Sequence, residues 1–195
     1  VGSEMCIRDR ACGRRGYYPE ILLTVFSEHY LRIYARIDLG RDAFPHGEIG
    51  FIYDCPRRHY TSSTALMEGR VESTCPLCGS KLRVAGPLWL GPLHSKVFLE
   101  EMKRVLPGLG LGRDWGRIER YLTLFEGEIS LPPYFFDIAK ASDLLGRRTP
   151  SPSKVIEVLE DRGYRAARTH FKGGGVKTDA PRHVFIEAVE EATRL

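Results

Sequence analysis

The chain has 195 residues, of which 43% are hydrophobic and 28% charged, and a formal net charge of +4. That length holds one medium domain or two small ones with enough chain to bury a core, and the composition is that of an ordinary globular protein. No apolar run approaches the roughly 20 residues that span a bilayer, since the longest candidate, 84–93, is broken by two Gly and two Pro.

The opening residues also lack the uninterrupted apolar core of a secretory signal, so a cytoplasmic, monomeric protein without membrane contact is expected. Residues 1–10 read VGSEMCIRDR and resemble a translated sequencing adapter of the kind found at broken ends of gene assemblies. Residues 1–12 are therefore set aside as non-native, and the protein is expected to begin upstream. From there, residues 20–38 (EILLTVFSEHYLRIYARID) alternate apolar Leu31, Ile33, Ala35 and Ile37 with Arg32, Tyr34, Arg36 and Asp38. Period two is the signature of a half-buried strand, so a hairpin turning at Ser27, Glu28 and His29 is predicted.

Residues 48–82 read as a compact unit, with a strand over 49–54 followed by cysteines, a polar stretch and more cysteines. The segment 86–92 (GPLWLGP) is too rich in Gly and Pro to be regular, and Trp89 within it reads as a core anchor. Helices are predicted over 94–106 and 115–125, separated by the breaker run 107–112. A short helix over 136–145 ends at Gly146. Ser151 or Ser153 caps a helix through Arg162, with Pro152 in its first turn and Gly163 past its end. A strand over 164–171, a loop over 172–180 and a final helix opened by Pro181 complete a small mixed unit.

The cysteines are Cys6, Cys12, Cys55, Cys75 and Cys78. An odd count without a secretory segment points to metal rather than disulfides. The string CPLCG at 75–79 presents two thiols from a tight turn, with Gly79 letting the backbone fold beneath the ion. Cys55, twenty residues earlier at the end of a predicted strand, opens a first knuckle whose second cysteine position is Arg58. His59 is the adjacent candidate, which gives a closed structural zinc site of Cys55, His59, Cys75 and Cys78.

Between Arg162 and Arg182 lie six basic residues and the single acid Asp179, with acidic stretches on both sides. Such a local field attracts phosphates. No Gly-rich phosphate loop, Ser/His/Asp constellation or paired carboxylates stand out. His29 and His94 read as turn or surface residues, and the chain is expected not to catalyse on its own.

Four stretches in order resemble the tRNA guanine-N2-dimethyltransferase family: SEHYLRIY at 27–34, GPLWLG at 86–91, PPYFFD at 132–137, and RTHF at 168–171 followed by VKTDAP at 176–181. The resemblance covers 13–195. It implies an enzyme that uses S-adenosylmethionine to modify guanine 26 of tRNA, with the catalytic and cofactor residues N-terminal to this chain. It implies an α+β fold: the final hairpin of a Rossmann-like methyltransferase sheet at 13–47, a zinc-knuckle segment at 48–92, and a small mixed tRNA-docking domain at 93–195. Arg168, His170, Lys177, Thr178 and Asp179 match the terminal motif. The tRNA-facing set is expected to be Arg165, Arg168, His170, Lys172, Lys177 and Thr178, with Asp179 capping the last helix instead. The chain departs from the family at 172–175 and at Arg58. The alternative is a stand-alone zinc-knuckle RNA-binding module without catalytic activity.

Overall fold

The computed structural model describes residues 12–27, 29–39 and 48–194. The adapter-like residues 1–11 and Glu28 of the expected turn lie outside them. Two compact units take their described residues from Val1–Glu20, Ala35–Gly91 and Pro181–Val184, and from Ile21–Tyr34, Pro92–Ala180 and Phe185–Leu195.

The expected hairpin is present as β1 (Tyr17–Ser27) and β2 (Tyr30–Leu39), a two-stranded sheet. Along β2 the alternation sets half-buried Leu31 and Ile33 against exposed Tyr30, Arg32 and Tyr34. The alternation stops there, because Ala35, Arg36 and Ile37 are all exposed.

The first unit is organised on β3 (Ile49–Asp54), the centre of an antiparallel sheet of order β4-β3-β5, with β4 at Thr61–Ala65 and β5 at Arg83–Trp89. Part of β5 falls in the segment expected to be irregular. Gly50 pairs with Leu88 and Ile52 with Ala85, so Phe51 faces both Gly86 and Pro87. A bulge of this kind accommodates Pro87, which has no N–H to give the ladder. Gly86 adopts φ +151°, and a Cβ there would sit 2.6 Å from the Phe51 ring. Tyr53, Cys55, Cys75 and Leu82 form the core, with Phe51 and Tyr60 packed on it. Trp89, 3% exposed, is buried as anticipated.

In the second unit, α1 (Lys96–Val105) starts at Ser95, whose Oγ accepts from the Phe98 N–H at 3.4 Å. It packs with α2 (Trp115–Glu128) around Leu23, Leu99, Leu122 and Phe125. A second sheet of order β6-β8-β7 follows, from β6 (Phe136–Asp137), β7 (Ala166–Arg168) and β8 (Gly175–Thr178). Asp137 accepts from the Ala139 N–H at 3.1 Å and so begins α3 (Ile138–Leu145), which Gly146 ends in the left-handed region. Ser151 caps α4 (Pro152–Asp161), and α5 (Arg182–Ala192) closes the chain.

The main departure from expectation is β8, a fully buried strand inside the stretch that reads as loop. Three consecutive glycines conceal it. The Gly175 N–H donates to the Lys172 carbonyl at 2.9 Å, closing a tight turn, and a Cβ on Gly175 would lie 2.6 Å from the Thr169 methyl. The strand expected over 164–171 is correspondingly shortened to β7. The fold is thus mixed α+β with small antiparallel sheets. No helix among the described residues is long and apolar enough to cross a membrane.

Gly50 sits in the central strand, where an added Cβ would stand 2.1 Å from the Thr64 carbonyl oxygen. Backbone cannot yield as a side chain does, so Gly50→Ala is expected to cost about 2 kcal/mol or more and to lower the melting temperature of the first unit. An unchanged thermal transition would show that β3 and β4 do not approach so closely.

Candidate metal knuckle and buried carboxylate hub

Two similar turns bring the cysteines together. The Cys55 N–H donates to the Tyr60 carbonyl at 2.9 Å, and the Cys75 N–H donates to the Ser80 carbonyl at 2.8 Å. Each turn needs one left-handed residue, supplied by Arg58 at φ 62° and Gly79 at φ 67°. The sulfurs of Cys55, Cys75 and Cys78 all lie within 4.8 Å of one another, Cys55 and Cys78 at 3.6 Å. Hydrogen bonds from the Ser80 hydroxyl and N–H, helped by His59 and Cys75, lower the Cys78 pKa to about 6, whereas burial pushes the Cys75 thiol up. Three clustered thiols, one poised as thiolate near neutrality, suit a soft, thiophilic cation. His59 is exposed and hydrogen-bonds to Cys78, but it stands outside the group that the three sulfurs form. Three of the four expected ligands are therefore gathered, with the fourth adjacent.

A second constellation lies wholly in the second unit and centres on Glu128, at the last turn of α2. Its Oε1 accepts from the Thr169 hydroxyl at 3.1 Å, the His170 N–H at 2.7 Å and His170 Nδ1 at 2.8 Å. Its Oε2 faces the Lys177 ammonium at 3.1 Å and His94 Nε2 at 3.8 Å. The His94 distance is too long for a hydrogen bond, and neither ring nitrogen of His94 has a hydrogen-bond partner among the described residues. Phe125 packs against both imidazoles, at centroid distances of 4.6 Å to His94 and 5.0 Å to His170. Lys177 Nζ lies 5.6 Å from the centre of the Phe171 ring.

Burial alone would raise the Glu128 pKa. The hydrogen bonds from His170, the proximity of His94 and the Lys177 charge outweigh it and hold the carboxyl well below the usual range. Burial lowers both Lys177 and His94, against the opposing pull of Glu128. The carboxylate and the two imidazoles approach closely enough to be compared with a metal site. Lys177 already supplies a compensating positive charge at 3.1 Å, while Glu128 Oε2, both ring nitrogens of His94 and His170 Nε2 make no hydrogen bond among the described residues.

His94, read from the sequence as a turn or surface residue, is 1% exposed. Its backbone bridges Leu23 of β1, which carries the ring inward. Glu128 gave no signal in the sequence, because the expected helix ends at Phe125 and the two glutamates that follow, Glu126 and Glu128, look alike and solvated. Among the expected tRNA-facing residues, Arg165, Arg168 and Lys172 are exposed. The His170 ring, Lys177 and Thr178 are buried, the first two on Glu128 and Thr178 with its hydroxyl accepting from the Ala180 N–H at 3.0 Å. Asp179 does not cap the last helix: its carboxylate accepts from the Arg165 N–H at 2.9 Å and from its guanidinium at 2.8 Å. Lys172 pairs with Asp137 at 2.5 Å. Arg168 makes no ion pair among the described residues.

A model of the N2,N2-dimethylguanosine tRNA methyltransferase family matches residues 7–190. A protein of Methanosphaera stadtmanae named tRNA (guanine(26)-N(2))-dimethyltransferase is 34% identical over 169 residues, covering 84% of this chain and 42% of that protein. One of Aeropyrum pernix with the same name is 34% identical over 175 residues, covering 86% and 42%. Among solved structures, Trm1 from Pyrococcus horikoshii in complex with S-adenosyl-L-methionine superposes with a TM-score of 0.74 at 26% identity, covering 93% of this chain and 46% of that one. The chain spans less than half the length of these relatives.

Replacing Glu128 by Gln leaves the Lys177 ammonium buried without its counter-charge. Glu128→Gln should destabilise the second unit by about 3 kcal/mol or more, and adding Lys177→Met should recover part of the loss. In the wild type, His94 is held neutral, so the unfolded chain takes up a proton first as pH falls through 6.5 and stability drops. Below about 4.5 the unfolded chain also protonates Glu128 while the folded one does not, and the loss steepens. Urea melts across pH 3 to 8 should show both limbs, with the lower limb flattened in Glu128→Gln. A flat profile through pH 4 in the wild type would remove Glu128 from the role of hub.

Proposed function

The chain belongs to the N2,N2-dimethylguanosine tRNA methyltransferase family, and on that premise we propose that it supplies the tRNA-docking part of an enzyme that methylates N2 of guanine 26 in tRNA. The observation that carries this reading is the family match across 7–190, nearly the whole chain. S-adenosylmethionine supplies the methyl group in such an enzyme. No residue of this chain is assigned to that ligand, since the family resemblance places the cofactor residues N-terminal to it. In the same reading β1 and β2 are the last hairpin of the methyltransferase sheet, within 13–47, 48–92 is the knuckle segment and 93–195 the docking domain. A cytoplasmic monomer acting on tRNA completes it.

RNA helices are gripped mainly through phosphates and 2′-hydroxyls. The exposed cations of the terminal motif are suited to this, and they differ in readiness. Arg165 and Lys172 are tethered to Asp179 and Asp137, which orient them but compete with phosphate. Arg168, free of such a carboxylate, is the principal contact. His170, Lys177 and Thr178 act from within, as positioning residues that hold β7 and β8 in shape. Zinc at Cys55, Cys75 and Cys78, closed by His59, would stiffen the first unit without taking part in the chemistry.

Binding of the chain to a fluorescent tRNA transcript, compared with a plain RNA duplex at two salt concentrations, tests the docking role. Tighter, salt-sensitive binding to tRNA is expected. Arg168→Ala should weaken it several-fold and reduce the salt slope by about one. No preference for tRNA, or an Arg168→Ala variant that binds like the wild type, would sink the assignment. For the knuckle, metal analysis of protein purified without chelator should find about one zinc per chain, lost in Cys75→Ser together with thermal stability of the first unit. Metal-free wild-type protein with an unaltered melting curve would dispose of the zinc.

A further inference from the structure

One surface of the second unit carries no residue of the terminal motif and meets the hub only through Phe125. It is a cavity of about 500 Å³ whose walls include Tyr30 and Tyr34 of β2, Phe98 and Met102 of α1, and Arg117 and Tyr121 of α2. Period two places Tyr30, Arg32 and Tyr34 on one face of β2. Tyr30 and Tyr34 are 52% and 43% exposed, so neither ring is spent on the core. Arg32 stands between them, its guanidinium 5.5 Å from the Tyr30 ring centre and donating to the Tyr34 hydroxyl at 3.4 Å.

We propose that this groove is a seat for an unpaired nucleobase of an RNA strand, stacked on the Tyr30–Arg32–Tyr34 strip. The inference rests on the tRNA-docking reading and adds a subsite to it. Three properties select this occupant. Aromatic rings on an exposed strand face offer π-surfaces that any base can cover, with an arginine adding cation–π attraction. Among the described residues the lining carries one formal charge, that of Arg117, and no acid, which suits a ligand with a phosphate attached to a flat apolar body. The volume lies in the range of small-molecule sites, whereas a helix or strand of another protein would need an extended trough. Paired bases keep their faces stacked on one another, so only a base outside a helix can enter.

Met102 lines the cavity and Met67 is an exposed residue of the first unit, so methionine methyls report on the groove with an internal control. The chain, labelled with methyl-13C methionine, is titrated with an unstructured adenosine-rich hexaribonucleotide and, separately, with a tRNA transcript. Met102 is expected to shift while Met67 does not. Tyr34→Ala should abolish the shift and weaken tRNA binding on the order of tenfold, with plain duplex binding unchanged and Tyr34→Phe retaining both. A silent Met102 at saturating tRNA would overturn the groove and leave docking intact. A Met102 shift with the hexamer but no preference for tRNA over duplex would uphold the groove and remove the docking reading. A leucine-rich amphipathic peptide that moves Met102 where the hexamer does not would overturn the proposal in favour of a protein partner.

Discussion

A carboxylate whose side chain has 0% exposure to solvent has to be answered from inside the protein, and Glu128 has partners facing both oxygens. Three donors from Thr169 and His170 converge on Oε1, while Lys177 approaches Oε2. Taking such charges out of water costs several kcal/mol per ion, which the attraction between them offsets only when the geometry is good and the remaining lone pairs are filled. Here Oε1 is filled by three hydrogen bonds while Oε2 relies on the Lys177 charge, and the groups come from segments distant along the chain: Glu128 from the end of α2, its partners from the turn after β7 and from β8. The pair therefore fixes which segments meet. Apolar packing alone would hold β7 and β8 near α2 without dictating their register.

The knuckle follows a different logic. Cys55 and Cys75 begin turns closed by the same hydrogen bond, from the cysteine N–H to the carbonyl five residues on, yet the left-handed residue comes one step earlier in the first turn. Gly79 takes that conformation freely in the second turn. Arg58 takes it at a steric cost in the first, at the position where a paired knuckle would carry its second cysteine. The thiol set is consequently lopsided, two from one turn and one from the other, with His59 approaching from the side of Cys78.

Periodicity and punctuation made much of the fold legible. The hairpin, the strand at 49–54, a helix capped at Ser151 or Ser153 and the stop at Gly146 are local matters of alternation, capping and backbone freedom, and the sequence states them directly. What escaped was non-local. Gly173, Gly174 and Gly175 advertise a flexible tip, but Gly175 is needed because Thr169 comes so close, and that neighbour is set by tertiary packing. Gly86 and Pro87 look like a break in structure and prove to be a bulge, because their strand has a partner in β3 able to skip a residue. For the site, the cysteine spacing located the thiols. The basic run located the cations without saying which faced outward, since exposure of Arg168 and burial of Lys177 depend on a glutamate 49 residues before the lysine.

The division of that basic run has a structural consequence. Lys177 and His170 point inward to Glu128, while Arg165, just before β7, and Arg168, at its end, are exposed. Phe125 belongs to both arrangements: it packs on the two imidazoles of the hub and also lines the aromatic groove beside β2. Phe171, next to His170, packs on Phe26 of β1 and is stacked with Phe135. The hub and the groove thus share a wall at Phe125 within one unit. Because close-packed interiors transmit displacement instead of absorbing it, a change at Glu128 must be felt at Phe125 and from there in the groove. One buried ion pair that touches no ligand thus lies behind the groove, with Phe125 between them.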